Sequence, residues 1–339
     1  MKIFLITGLI FCITHFTYAQ QTVDAIRKQA TTLAQQQDFT GAVQVLEDGL
    51  KQYPDNLEML KDEAYINYLG RDFQHSLEIG KGIVAREDAD VQSYQILGLT
   101  YKAIADYKEA DKMYKAAIKK FPNSGVLYSE YGDMLTQYDN KHGAIVQWEK
   151  GIEVDPNYSS NYYYAAKYYA DENNIFWSTI YSEIFINIES LTRRTTEIKN
   201  LLLNNYKLIL SGKSNVDNLK ANGTDFEKAV ASALSAALEP ATTDATPEMI
   251  TAFRVRFILN WNNSAATSYP YRLFDFQAQL TREGLFDAYN QWLFGTVINK
   301  ARYDNWVYTH DTEMQDFTQF QHNVLFKMPP EQYYGKPQP

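Results

Sequence analysis

Apolar and small residues recur along this chain with a period of 34. The cleanest stretch starts at Val91 and carries Tyr94, Leu97, Gly98, Tyr101, Ala110, Tyr114, Ala117 and Pro122. The stretch from Gly125 repeats it with Tyr128, Tyr131, Gly132, Leu135, Ala144, Trp148, Gly151 and Pro156. Upstream, from Val23, come Ile26, Ala30, Leu33, Ala42, Leu46, Gly49 and Pro54, with Gln29 as the one departure. The stretch from Leu57 keeps Leu60, Ala64, Ser76 and Ile83 but has Glu63, Asn67 and Asp88 at three patterned places. Its register is held by Asp38-Phe39, Asp72-Phe73 and Asp106-Tyr107, which are spaced by the same 34 residues. A fifth stretch begins near Ser159 with Tyr162, Ala166 and Tyr169, loses the closing proline and runs into a longer apolar helix. A fixed period of this length marks a repeat architecture and outranks any local reading.

These positions resemble the signature of the tetratricopeptide-repeat (TPR) family, whose eight places are all matched in the stretch from Val91. The resemblance implies an all-α fold, with paired helices stacked into a right-handed solenoid of about five pairs over residues 20–190. Gly or Ala at the eighth and twentieth places lets paired helices approach closely, and large residues fill the space around that contact. One repeat cannot bury its apolar face alone, so neighbours stack around a concave surface lined by the first helix of each pair. The family turns places two, five, nine and twelve of that helix towards the groove. Here these are Arg27, Lys61, Tyr65, Tyr68, Gln95, Lys102, Asp133, Tyr163 and Lys167, a mixture of cations and tyrosines suited to gripping a peptide. The family's carboxylate clamp for acidic tails is absent, since Arg27, Thr31, Asp62, Gln92 and Ile96 occupy its places.

Residues 191–339 lack the period but also read as helical, a second region capping the solenoid. Residues 198–210 are apolar on one face, and 211–223 break the pattern. Thr224-Asp225-Phe226-Glu227 has the form of a capping box, opening an Ala-rich helix to Leu238. Residues 239–247 read as a linker, with Pro247 suited to the first position of the next helix. From Tyr271 the helical stretches are dense in aromatics, which points to core packing. In 161–169, Tyr163, Tyr164 and Tyr168 cannot all point inward on one helix, so something is expected to cover them: the C-terminal region docked there, with a partner protein or a stacked sugar as the alternatives.

The N-terminus differs. Lys2, an apolar run over 3–16 and Thr17-Tyr18-Ala19 before Gln20 form a secretory signal peptide over residues 1–19. The run is too short to cross a bilayer, which takes about 20 apolar residues, and no second such run follows. Cleavage removes Cys12, the only cysteine, so the mature chain has neither disulfides nor Cys–metal sites. The full chain has a net charge of −9, which disfavours nucleic acid as a partner.

No chemistry assembles around the remaining motifs. His310 and Glu313 form half a metal site, and a divalent ion normally needs three or four ligands. Gly212-Lys213-Ser214 lacks the rest of a phosphate loop, because Lys207 stands where the motif needs Gly. A Gly-x-Ser-x-Gly nucleophile is absent. The expectation is a non-enzymatic scaffold or adaptor without cofactor or metal, exported to the periplasm or cell surface of a Gram-negative envelope, binding another protein or peptide segment. The alternative is a helical ligand-binding protein for glycans or peptides, which calls for an aromatic platform open to solvent.

Overall fold

The computed structural model describes residues 22–238 and 245–335. The expected signal peptide, most of the 239–247 linker and the last four residues lie outside them. The described residues are all-α, with no strand. The chain divides into two compact units, Met1–Ile104 and Ala105–Pro339.

In the first unit, α1 (Val23–Gln35) pairs with α2 (Phe39–Leu50), α3 (Leu57–Leu69) pairs with α4 (Phe73–Val84), and α5 (Val91–Ala103) follows. The second unit begins with α6 (Tyr107–Lys120) and continues with the pairs α7 (Gly125–Gln137) and α8 (Lys141–Val154), then α9 (Ser159–Asp171) and α10 (Ile175–Ile188). The 34-residue period is therefore kept to the residue in the helix starts, from Val23 to Ser159 and from Phe39 to Ile175.

The turns show why the period is so strict. Gln37, Arg71, Ala105, Asp139 and Asn173 all sit in the left-handed region, with φ between 55° and 65°, and none is glycine. Each follows a first helix and lets the chain fold back. The next residue's amide reaches five residues back, as in Asp38 N to Leu33 O (2.9 Å) and Asn140 N to Leu135 O (2.8 Å), satisfying a helix-end carbonyl. That same residue then caps the second helix. Asp38 accepts from Gly41 N at 2.9 Å, Asp72 from His75 N at 3.2 Å and Asn140 from Gly143 N at 2.8 Å. The Asp-aromatic marker in the sequence is thus an N-cap followed by the first helical residue.

The small places do what close packing requires. Ala30, Ala64 and Ala166 at the eighth place, and Ala42, Ala110 and Ala144 at the twentieth, are almost wholly buried. At Gly132 a Cβ would lie 2.2 Å from the Trp148 indole nitrogen, so only glycine fits between α7 and α8 there.

After α10 come α11 (Arg193–Leu210), α12 (Val216–Asn222), α13 (Asp225–Ala237), α14 (Pro247–Ser264), α15 (Arg272–Arg282), α16 (Phe286–Asn290), a π-helical turn (Gln291–Gly295), α17 (Thr296–Ile298), α18 (Lys300–Thr309) and α19 (Asp311–Asn323). The capping box is present: Thr224 Oγ1 accepts from Glu227 N at 3.3 Å and Glu227 from Thr224 N at 2.7 Å. Pro247 opens α14. The break expected over 211–223 instead holds the short α12, whose Val216 and Leu219 share a face and are buried.

The helices after residue 190 pack directly on the last repeat pair. Helix α10 packs on α11, and its side chains bind deep into the C-terminal helices. Glu183 on α10 pairs with Arg254 on α14 and accepts from Gln277 on α15 (2.8 Å) and Tyr289 on α16 (2.8 Å). Trp177 donates to Glu227 at 2.7 Å. The C-terminal segment is held as well: Tyr333, Tyr169 and Tyr181 all donate to the buried Glu149 carboxylate, at 2.7, 2.6 and 2.9 Å. Burial raises the Glu149 carboxyl, and those three donors oppose the shift.

Candidate protein-interaction faces

On the first-helix side of the first unit, charges knit neighbouring helices together. Arg27 of α1 reaches Asp62 of α3 at 2.6 Å and Glu58 at 3.2 Å. Lys61 contacts Glu58 and Asp90, the N-cap of α5, both at 2.6 Å. Only 2% of the Lys61 side chain is exposed. This corrects the expectation for Lys61, whose ammonium is spent on bridging α3 to α5 and is not presented to a partner. Its pKa is raised; desolvation works against the shift, and Asp90 and Glu58 outweigh it. Gln95 and Lys102 on α5 are half-buried and already engaged by neighbours.

The two tyrosines differ from these cations. Tyr65 is 42% exposed, and its ring stacks on that of half-buried Tyr68 at 6.1 Å and 16°. Tyr68 is backed in turn by Phe73 at 5.9 Å. The result is a supported aromatic platform with one ring open to solvent.

In the second unit the corresponding side is largely used up internally. Asp133 is half-buried and accepts from Gln137 at 3.1 Å. Tyr163 is buried and donates to Glu197 of α11 at 2.8 Å, while Lys167 donates to Glu197 at 2.6 Å and to the Tyr163 hydroxyl at 3.2 Å. The Arg194 guanidinium lies 4.9 Å from the centre of the Tyr163 ring. Helix α11 thus supplies a carboxylate partner to both Tyr163 and Lys167, while the Lys167 side chain stays 45% exposed. Of the other two tyrosines in this run, Tyr164 stacks on Trp148 at 5.1 Å and Tyr168 meets Tyr169 edge-on at 5.6 Å.

Among the clefts lined by other residues, two bear on function. One, of about 520 Å³, is lined by Glu248, Gln291, Arg302 and Trp306 among others. It supplies part of the aromatic platform that a glycan reading calls for, but His310 stacks on Trp306 at 4.4 Å. The other, of about 390 Å³, lies between α2, α3 and the start of α4, and includes Glu63 and Asn67. The sequence signal for it is the pair of departures from the repeat pattern at these same two residues.

With this geometry in view, residues 92–124 match the family profile described as tetratricopeptide repeat. Over these residues the chain carries a tetratricopeptide repeat. Similar solved structures include a thermophilic TPR protein from Thermus thermophilus, at 16% identity, covering 53% of this chain and 98% of that one with a TM-score of 0.44. A tetratricopeptide repeat protein from Parabacteroides merdae is 13% identical and covers 76% of this chain and 98% of that one, with a TM-score of 0.43. A third, described as a TPR protein with an unusual peptide-binding site, is 14% identical over 53% of this chain and 93% of that one, with a TM-score of 0.38. No curated protein matches the sequence. No helix among the described residues is long and apolar enough to cross a membrane.

Proposed function

We propose that this TPR protein is a non-enzymatic scaffold or adaptor, exported to the cell envelope, which holds a partner protein against the concave side lined by its first helices. The observation that carries the reading is the Tyr65–Tyr68 platform. Among the groove candidates these two offer ring surface to a partner, while Arg27, Lys61, Tyr163 and Lys167 are committed to ion pairs or hydrogen bonds within the chain. Exposed, well-supported aromatic rings are the residue type that most often dominates binding energy. Export is supported by the charged start, apolar run and small residue over positions 1–19.

The test is affinity purification of the tagged protein from envelope extract after mild crosslinking, beside a Tyr65→Ala/Tyr68→Ala variant. A defined partner captured by the wild type and lost from the variant is the expected result, with the recovered chain starting at Gln20. Equal capture by both proteins, or no specific partner at all, overturns the reading of this face.

A further inference from the structure

Glu63 occupies a place where the repeat pattern calls for leucine, and Asn67 one where it calls for an aromatic ring. The following repeat shows what normally fills this space. There Leu97 is 2% exposed and lies against Gly80 of α4, where a Cβ would stand 3.2 Å from Leu97 Cδ1. Tyr101, 4% exposed, sits under Lys81, whose ammonium is 5.9 Å from the ring centre. Thirty-four residues earlier the four places hold Glu63, Leu46, Asn67 and Glu47; Leu46 is wholly buried where the later repeat has Gly80, and Glu63, Asn67 and Glu47 line a cleft of about 390 Å³.

Glu63 is 9% exposed and lines this cleft, yet no described residue donates a hydrogen bond to its carboxylate. Its carboxylate faces the cleft in a desolvated setting that disfavours the charged form, and a cation bound there would offset that cost. The cleft supplies the rest of a receptor for one. Glu47 and Asp72 add negative charge at its rim, and Phe39, Val43 and Ile66 form an apolar wall for an aliphatic stem. The Asn67 amide donates to the Glu63 backbone carbonyl at 3.0 Å, one turn back along α3.

We infer that this cleft is a second binding site, on a different side of α3 from the tyrosine platform, which receives an arginine side chain of a protein partner. The inference rests on the reading of the protein as a partner-binding scaffold. Arginine fits better than lysine because its planar fork pairs with a carboxylate on two atoms and its flat face stacks on a ring such as Phe39. Burial, with Glu47 nearby, pushes Glu63 up to about 7, so the site changes charge around neutral pH. His75 also faces the cleft, and Asp72 raises its pKa through a 2.7 Å hydrogen bond. Acidification therefore protonates Glu63 and favours a positive His75, and both changes oppose a bound cation.

The full chain, with its Val and Ile methyl groups labelled, is titrated at pH 8 with N-acetyl-arginine amide and, separately, with the neutral isostere N-acetyl-citrulline amide. Saturable methyl shifts at Val43 and Ile66 with the arginine probe alone are expected. The apparent Kd should rise at least tenfold in Glu63→Gln and severalfold at pH 6. Glu63→Leu, which restores the residue type found at Leu97 and is expected to fold, should abolish the shifts. No saturable shift, equal shifts with citrulline, or an unchanged Kd in Glu63→Gln would each overturn the assignment. A positive titration beside a failed partner capture leaves a cation site without the scaffold reading, and the reverse leaves the scaffold reading without this site.

Discussion

Between α4 and α5, Leu97 and Tyr101 close the contact and Lys81 covers the ring. Between α2 and α3 the same three places hold Glu63, Asn67 and Glu47, and the contact stays open. The backbone is the same in both: each first helix ends in a left-handed residue, Gln37 or Arg71, and each second helix is capped by Asp38 or Asp72. The repeat frame is thus set by turns, caps and small residues, and it survives the loss of two large core residues at one junction. That tolerance makes room for function in a position that usually only packs.

The strongest way to break the comparison is to install the open junction's chemistry in the closed one. Leu97→Glu with Tyr101→Asn removes two large buried side chains and places a carboxylate where no space has formed to solvate it. Loss of packing and burial of an unpaired charge together should cost about 3–5 kcal/mol. Denaturant unfolding monitored by circular dichroism measures this directly. A cost below about 1 kcal/mol would mean that the closed junction contributes little and that the open one needs no functional explanation.

The reverse change closes the open junction. Glu63 in the folded chain titrates near 7, against 4.5 for an unperturbed glutamate. Because folding raises its pKa, the stability tied to its neutral form is fully present below about pH 4.5 and is lost as pH rises through about 7. One pKa unit corresponds to about 1.4 kcal/mol, so the ionised group costs up to about 3 kcal/mol at pH 8. Glu63→Leu removes this cost and buries an apolar chain. The stability gap between variant and wild type should widen from pH 4.5 to 7 and then level off. A gap independent of pH would show that Glu63 is well solvated in the folded protein.

These residues also show how far sequence carries. The period and the helix pairs show as a recurrence every 34 residues, and the Asp-aromatic caps, the Thr224–Glu227 box and Pro247 at a helix start depend on residues within a few positions of each other, so the pattern displays them all. Glu63 and Asn67 were visible too, as departures, but a departure alone does not reveal whether the gap is refilled by a neighbour. The fates of Lys61 and Tyr163 were out of reach, because each depends on a carboxylate about thirty residues away, Asp90 in one case and Glu197 in the other. The Glu183–Arg254 pair spans 71 residues and joins helices that share no repeat pattern. Periodicity reports the frame of each repeat. The long-range partner of a charged side chain decides whether it faces a ligand or a neighbour.

The smallest change separates the two things that set the Glu63 carboxyl, namely burial and the company of Glu47. Burial is the larger cause, and the Glu47 charge adds to it. Glu47→Lys copies the residue found 34 positions later, Lys81, and leaves Glu63 and the cleft's apolar wall in place. Glu47 is exposed, so the exchange should alter overall stability by less than about 1 kcal/mol. Its effect belongs in the titration of Glu63, read by carboxyl-carbon NMR. The midpoint should fall from about 7 by up to about one pH unit, since a nearby positive charge favours the ionised form, while most of the elevation persists because burial is unchanged. If the midpoint returned fully to the ordinary glutamate range, repulsion at the rim would be the dominant cause and the cleft would be wetter than its lining implies. If it did not move, Glu47 would be too well screened to assist a bound arginine, and Glu63 alone would have to hold the cation.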